Sequence, residues 1–261
     1  MSMVLKLLLL GLFVGFVSGL FGKGGSAIAT PLLQLIGVSA FYAVASPLPA
    51  AIPGTLVASL AYVRQGLYDR KVVLWSIGVG LPTTVIGAWL SQYTGGAVLL
   101  LLSNLIIVGL GLSFLLPLMR TASGLEHHTE EEAREVSVVT NVLVAASVGL
   151  VSGLLANSGG FLLAPLYNKV LKLPLKTAFA CSLVVSAALA VPGTLVHIYL
   201  HHIDWKIVLY FALGSIPFSY LGANTAIKMP VKALEPLFGL MLTIIGLWGM
   251  ADSLGFHFLR L

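Results

Sequence analysis

One block of this chain is written twice without a gap: GFVSGLFGKGGSAIATPLL at 15–33 and GLVSGLLANSGGFLLAPLY at 149–167. The duplication continues in the same order. PGTLV at Pro53 recurs at Pro192, YDRKVVL with Asp69 and Lys71 answers IDWKIVL with Asp204 and Lys206, and Pro82 and Gly87 match Pro217 and Gly222. The chain is therefore two homologous halves, 1–119 and 136–261, joined by a segment at 120–135. Any fold for it has to be assembled from two copies of one unit.

Neither unit can face water. Of the residues, 58% are hydrophobic and 9% charged, where a soluble domain carries about 25% charge. The chain reads as an all-α polytopic membrane protein. Each half holds five apolar segments, at 4–22, 25–37, 42–62, 72–92 and 97–118, then 138–156, 159–171, 177–199, 206–227 and 233–250. A spanning helix needs about 20 residues, and the second segment of each half falls well short. Short, Gly-interrupted segments at matching places in two repeats point to a transporter's binding site. The N-terminus imitates a secretory leader, but the same pattern returns mid-chain, so it reads as part of the fold. The linker carries five of the nine acidic residues, together with His127 and His128, and reads as a solvated cytoplasmic loop rather than a metal site.

Loop charge sets the expected topology. Arg64, Arg70 and Lys71 follow the third segment of the first half, whereas the matching loop, HHID, is nearly neutral. The loops after segments two and four show the reverse, with Lys169, Lys172, Lys176, Lys228 and Lys232 all in the second half. Positive charge stays inside, so the two halves are expected to be inverted relative to each other, with both termini outside. Segments one and two then form either a re-entrant hairpin or two full crossings. The sequence leaves that choice open.

The segments turn at glycine-rich tips, Phe21–Ser26 and Leu155–Gly160. A turn inside a bilayer leaves amide hydrogens that hydrocarbon cannot satisfy, and a helix starting there presents a positive dipole end to an anion. Gly22, Lys23, Gly24, Gly25 and Ser26 in one half, and Asn157, Ser158, Gly159 and Gly160 in the other, are the expected substrate site. Ser46, Thr55 and Thr194 form a second ring of candidates beside the Pro-Gly breaks of segment three, with Ser186 close by. A hydroxyl bonded to its own helix is the alternative for these. Gly11, Gly15 and Gly19 read as helix packing. Trp75, Trp89, Tyr93, Trp205 and Tyr210 read as interface anchors. His197 and His201 have a metal-type i,i+4 spacing, but are read as an exposed helix end. The lone Cys181 reads as a small buried thiol.

These tips carry a resemblance. SGLFGKGGSAIATP and SGLLANSGGFLLAP resemble the repeated Gly-rich turn, apolar run and proline of the sulfite exporter TauE/SafE family. The likeness covers nearly the whole chain except the linker. It implies secondary transport of a small sulfur-containing anion such as sulfite or an organosulfonate. The chain departs from the family's G-x-G-G-G pattern at Ser26 and at Asn157-Ser158, and Lys23 is an unusual charge there.

All nine acidic residues lie in loops or at segment edges, so no intramembrane carboxylate stands ready as a proton relay. A potential of 100 mV, negative inside, drives a monovalent anion outward by about 2.3 kcal/mol, which favours export. The expectation is an anion exporter of the cell membrane working by alternating access, with no cofactor, no metal and no catalytic machinery. A small anionic solute and membrane lipid are the expected partners. Nucleic acid is not expected, and self-association as a homo-oligomer stays open. The competing classes are a metal or cation transporter using the histidines, and a non-transporting membrane scaffold.

Overall fold

The computed structural model describes residues 2–22, 25–90, 93, 104–116, 137–155, 158–199 and 201–253. Among these residues the chain is helical, with no strand. The first half contributes α1 (Met3–Phe21), α2 (Ser26–Leu35), α3 (Ala40–Ala45), α4 (Pro47–Val63), α5 (Arg70–Leu90) and α6 (Asn104–Leu116). The second contributes α7 (Val138–Leu154), α8 (Gly160–Lys169), α9 (Leu175–Tyr199), α10 (Trp205–Lys228) and α11 (Val231–Ser253). The linker lies outside the described residues.

Among the described residues, six helices are long and apolar enough to cross a membrane: α1, Tyr42–Val63, α5, α9, α10 and Val231–Ala251. α2 and α8 have ten residues each. At 1.5 Å per residue they reach about 15 Å, half of a hydrocarbon core. In the third segment of the first half α3 and α4 meet at Ser46, which keeps helical backbone (φ −64°, ψ −30°) and returns its N–H to the Tyr42 carbonyl. Pro47 at the first position of α4 lacks the N–H that a continuous helix would need.

α4 and α9 form the centre, with 61% of each span buried against 28–39% for the other four. Outward, α5 exposes Leu74, Trp75, Val85, Ile86 and Trp89, and α9 and α10 expose Leu195, Leu209 and Leu213. Apolar surface this extensive is at home against lipid.

Close backbone approach holds the outer helices in place. A methyl group at Gly11, Gly15 or Gly19 of α1 would collide with the carbonyl oxygens of Phe211, Ser215 and Ser219 of α10. The contacts advance together, so α1 and α10 run parallel. Gly149 and Gly153 of α7 likewise meet Gly80 and Thr84 of α5, and that pair is parallel too. α1 thus packs on the counterpart of α5, and α5 on the counterpart of α1. α5, α7 and α8 are further joined by a buried polar chain. Tyr167 Oη donates to Ser76 Oγ (2.7 Å), Ser76 Oγ to Asn141 Oδ1 (3.0 Å), and Asn141 Nδ2 to the Val72 carbonyl (3.1 Å).

α4 and α9 run antiparallel. The Asp204 N–H, beyond the end of α9, donates to Ser46 Oγ at the start of α4 (3.1 Å). The Asp69 N–H, beyond the end of α4, donates to Cys181 Sγ near the start of α9 (3.4 Å). The basic loops gather at the Asp69 end. Arg70 and Lys71 follow Asp69 directly, and Lys176 Nζ, early in α9, donates to the Ile227 carbonyl beside Lys228 (2.6 Å).

Candidate functional site

α1 ends because Gly22 takes a left-handed conformation (φ 62°), with its N–H returned to the Ser18 carbonyl. A side chain at Gly22 would strike the Phe179 backbone, so both the conformation and the space call for glycine. In the second tip the left-handed glycine is instead the N-cap of α8, Gly159 at φ 70°. Lys23, Gly24 and Asn157 lie outside the described residues.

The two tips meet. Ser26 Oγ, on the first residue of α2, lies 3.0 Å from Ser158 Oγ, two residues before α8. The Ser158 N–H also donates to Ser26 Oγ, at 3.3 Å. Both serines are buried, as are Gly25, Gly159 and Gly160. The N-cap residues of α2 and α8 are glycines, Gly25 and Gly159, which supply no side-chain cap, and neither helix has an acidic residue in its first turn. Two positive helix ends therefore converge with no anionic group of the described residues in either first turn.

α9 passes both tips. Ser182 Oγ donates to the Gly22 carbonyl and to the Phe179 carbonyl, and a Cβ placed on Gly159 would sit 3.4 Å from Leu189 Cδ1. Ser186 lies between these two positions on α9. It is fully buried, and among the described residues its Oγ has no hydrogen-bond partner. Thr194 Oγ1, two turns further, is also buried without a partner. Buried hydroxyls are almost always satisfied, and an unsatisfied one calls for a water or a ligand.

The remaining candidates divide. Thr55 is buried, but its hydroxyl donates to Ala51 (2.7 Å) and Ile52 (3.2 Å) carbonyls of its own helix, the alternative weighed from sequence. Ser46 is committed to the Asp204 N–H. A small cavity, with room for about one water molecule, is lined by Ser18, Gly25, Gly54, Thr55, Ser215 and Ser219, so it touches the first tip and not the second. His197 pairs with His202 rather than with His201. Among the described residues, no group of three or more metal-ligating side chains forms. Ser182 was not anticipated from sequence. Only its spacing of four residues before Ser186 hints at a polar face.

Among the described residues, eleven helices, six of spanning length, around paired Gly-rich tips define a multi-pass helical membrane protein. The family described as sulfite exporter TauE/SafE matches residues 7–249, and the chain belongs to it. Its relatives include the "Probable membrane transporter protein YunE" of Bacillus subtilis (strain 168), 26% identical over 94% of this chain and 96% of that one. A "Probable membrane transporter protein" of Xylella fastidiosa (strain Temecula1) is 29% identical over 91% of each chain. The "Probable membrane transporter protein MJ0441" of Methanocaldococcus jannaschii is 24% identical over 93% of each. No solved structure matches the chain. The protein is a membrane transporter of this family.

Proposed function

We propose that this transporter exports a small oxyanion, sulfite or an organosulfonate, across the cell membrane. The anion rests between the two tips and is held by the first-turn amides of α2 and α8, with Ser26, Ser158 and Ser186 around it; Lys23, by its place in the first tip's sequence, supplies a positive charge. The observation that carries this reading is the contact of Ser26 with Ser158. It brings two helix N-termini, each with glycine at the N-cap, together in a buried setting, and an anion is the ligand such a setting favours. The family's description names sulfite. A sulfite oxygen accepts hydrogen bonds only, which suits a pocket of amides and hydroxyls.

The mechanism follows as alternating access between inverted repeats. Three features support inversion. The equivalent helices α4 and α9 run in opposite directions. α1 and α10, which are not equivalent, run in the same one. The basic loops of both halves share one end, as a cytoplasmic face requires. α2 and α8 then enter as half-length helices of re-entrant hairpins, one from each face. Rocking one repeat against the other separates or joins the tips, exposing the anion to one side at a time.

The test is efflux of sulfite from liposomes containing the purified protein, compared with organosulfonates, thiosulfate and chloride. Saturable sulfite or sulfonate flux that falls with Ser26→Ala, Ser158→Ala and Lys23→Ala supports the reading. Flux of none of these anions overturns it.

A further inference from the structure

The turn after the central helix is built the same way in both halves but from different residues. In the first half, the Leu67 N–H returns to the Tyr62 carbonyl (3.1 Å) and the Gly66 N–H to the Val63 carbonyl (2.9 Å), with Gly66 left-handed at φ 72°. In the second, the His202 N–H returns to the His197 carbonyl (3.0 Å) and the His201 N–H to the Ile198 carbonyl (3.1 Å), with His201 left-handed at φ 55°. Both are Schellman caps, in which the residue after the left-handed one folds back onto the last helical turn. The following aspartates, Asp69 and Asp204, then cap the next helix in each half.

The first half fills this turn conventionally, with glycine at the left-handed position and Leu67 returned to Tyr62. The second half places histidine at all three positions. Histidine is among the side chains that tolerate the left-handed region, which accounts for His201, but the first half demonstrates with Tyr62 and Leu67 that the turn needs no imidazole at the places of His197 and His202. The structural role alone therefore does not account for these residues.

The fold-back brings His197 Nδ1 and His202 Nδ1 to 3.4 Å, with the ring centroids 5.6 Å apart. That separation is long for a hydrogen bond. It matches the span between two ligands of a tetrahedral zinc: two bonds of 2.0–2.1 Å at a tetrahedral angle separate the nitrogens by about 3.3–3.4 Å. Both residues are half-buried at the molecular surface, at the end of the protein away from the basic loops.

We propose that His197 and His202 form a two-imidazole site for a divalent transition-metal ion such as Zn²⁺. Among the described residues no third protein ligand joins them, so solvent completes the coordination. The bound ion staples the end of α9 to the turn that leads into α10. That turn also holds α4, through the Asp204 N–H on Ser46.

The test uses the full-length protein in detergent, with a histidine-free affinity tag and with His127, His128 and His257 replaced by alanine. Zn²⁺ is titrated by calorimetry, and Cu²⁺ is added for electron paramagnetic resonance. The expected result is one Zn²⁺ per chain and nitrogen hyperfine coupling from two imidazoles. His201→Gly retains the site. The triple change His197→Tyr, His201→Gly, His202→Leu transplants the first half's turn. It keeps the fold, and it weakens Zn²⁺ binding at least about tenfold, the least expected when even an outer-shell partner of a metal is lost. Equal Zn²⁺ affinity in the triple variant, or no Zn²⁺ binding in the parent, overturns the proposal.

Discussion

Ser26 Oγ and Ser158 Oγ stand 3.0 Å apart although 132 residues separate them, one from each half of a duplicated chain. They are not at matching positions of the repeat: Ser26 aligns with Gly160, and Ser158 with Gly24. The contact is thus a feature of how the two halves assemble, and the reading of the tips as an anion site rests on it.

Replacing either serine by alanine removes a hydroxyl that faces the proposed anion. A net hydrogen bond to a charged partner contributes about 1.5–3 kcal/mol. Ser26→Ala and Ser158→Ala are each expected to raise the KM for the transported anion by about tenfold or more. The two effects are expected to be non-additive, because the residues share one contact. Liposome flux for the single and double variants checks both the size and the coupling.

Ser186 separates a binding role from a structural one. Its hydroxyl is buried without a partner among the described residues, so deleting it removes an unsatisfied group rather than a bond. Ser186→Ala is expected to leave the unfolding temperature unchanged or raised, while lowering anion flux. Ser182→Ala removes the bond to the Gly22 carbonyl and is expected to destabilise by about 1–3 kcal/mol. Thermal unfolding in detergent alongside flux distinguishes the two serines.

The parallel pairs α1–α10 and α5–α7 depend on absent side chains. A methyl at Gly15 would collide with the backbone of Ser215, and one at Gly153 with that of Thr84. Overpacking of this kind typically costs about 1–3 kcal/mol, and backbone contacts give way less readily than side chains. Gly15→Leu and Gly153→Leu are expected to lower the unfolding temperature markedly. Gly78→Ala, where nothing lies within 4 Å, is expected to leave it nearly unchanged.

The buried chain Tyr167–Ser76–Asn141 ties α8 to α5 and α7. Tyr167→Phe keeps the ring and removes only the hydroxyl, so a loss of about 1 kcal/mol is expected. Asn141→Leu strips partners from both Ser76 and the Val72 carbonyl and is expected to cost more. Unfolding temperatures of the two variants check this order.

Much of this architecture was legible in the sequence, and for physical reasons. The short second segments are bounded by glycines and a polar turn, and α2 and α8 are ten-residue helices at those places. Gly11, Gly15 and Gly19 at four-residue spacing fall on one helix face, and they do pack against α10. What escaped depends on where the chain returns to. Ser182 matters only because α9 crosses the tip at Gly22. His197 was read with His201 at i,i+4, but the helix ends before a further turn is complete. The left-handed His201 then sends His202 back onto His197 instead. The Pro-Gly pairs of segment three do not break it: α4 runs on through Pro53 and α9 through Pro192.

The most direct measurement is sulfite and sulfonate efflux from proteoliposomes under an imposed outward gradient, wild type against the Ser26→Ala, Ser158→Ala double variant, with unfolding temperatures measured on both. The account predicts saturable flux in the wild type and a fall of about tenfold or more in the variant, with the fold intact. Equal flux in the two proteins would contradict it.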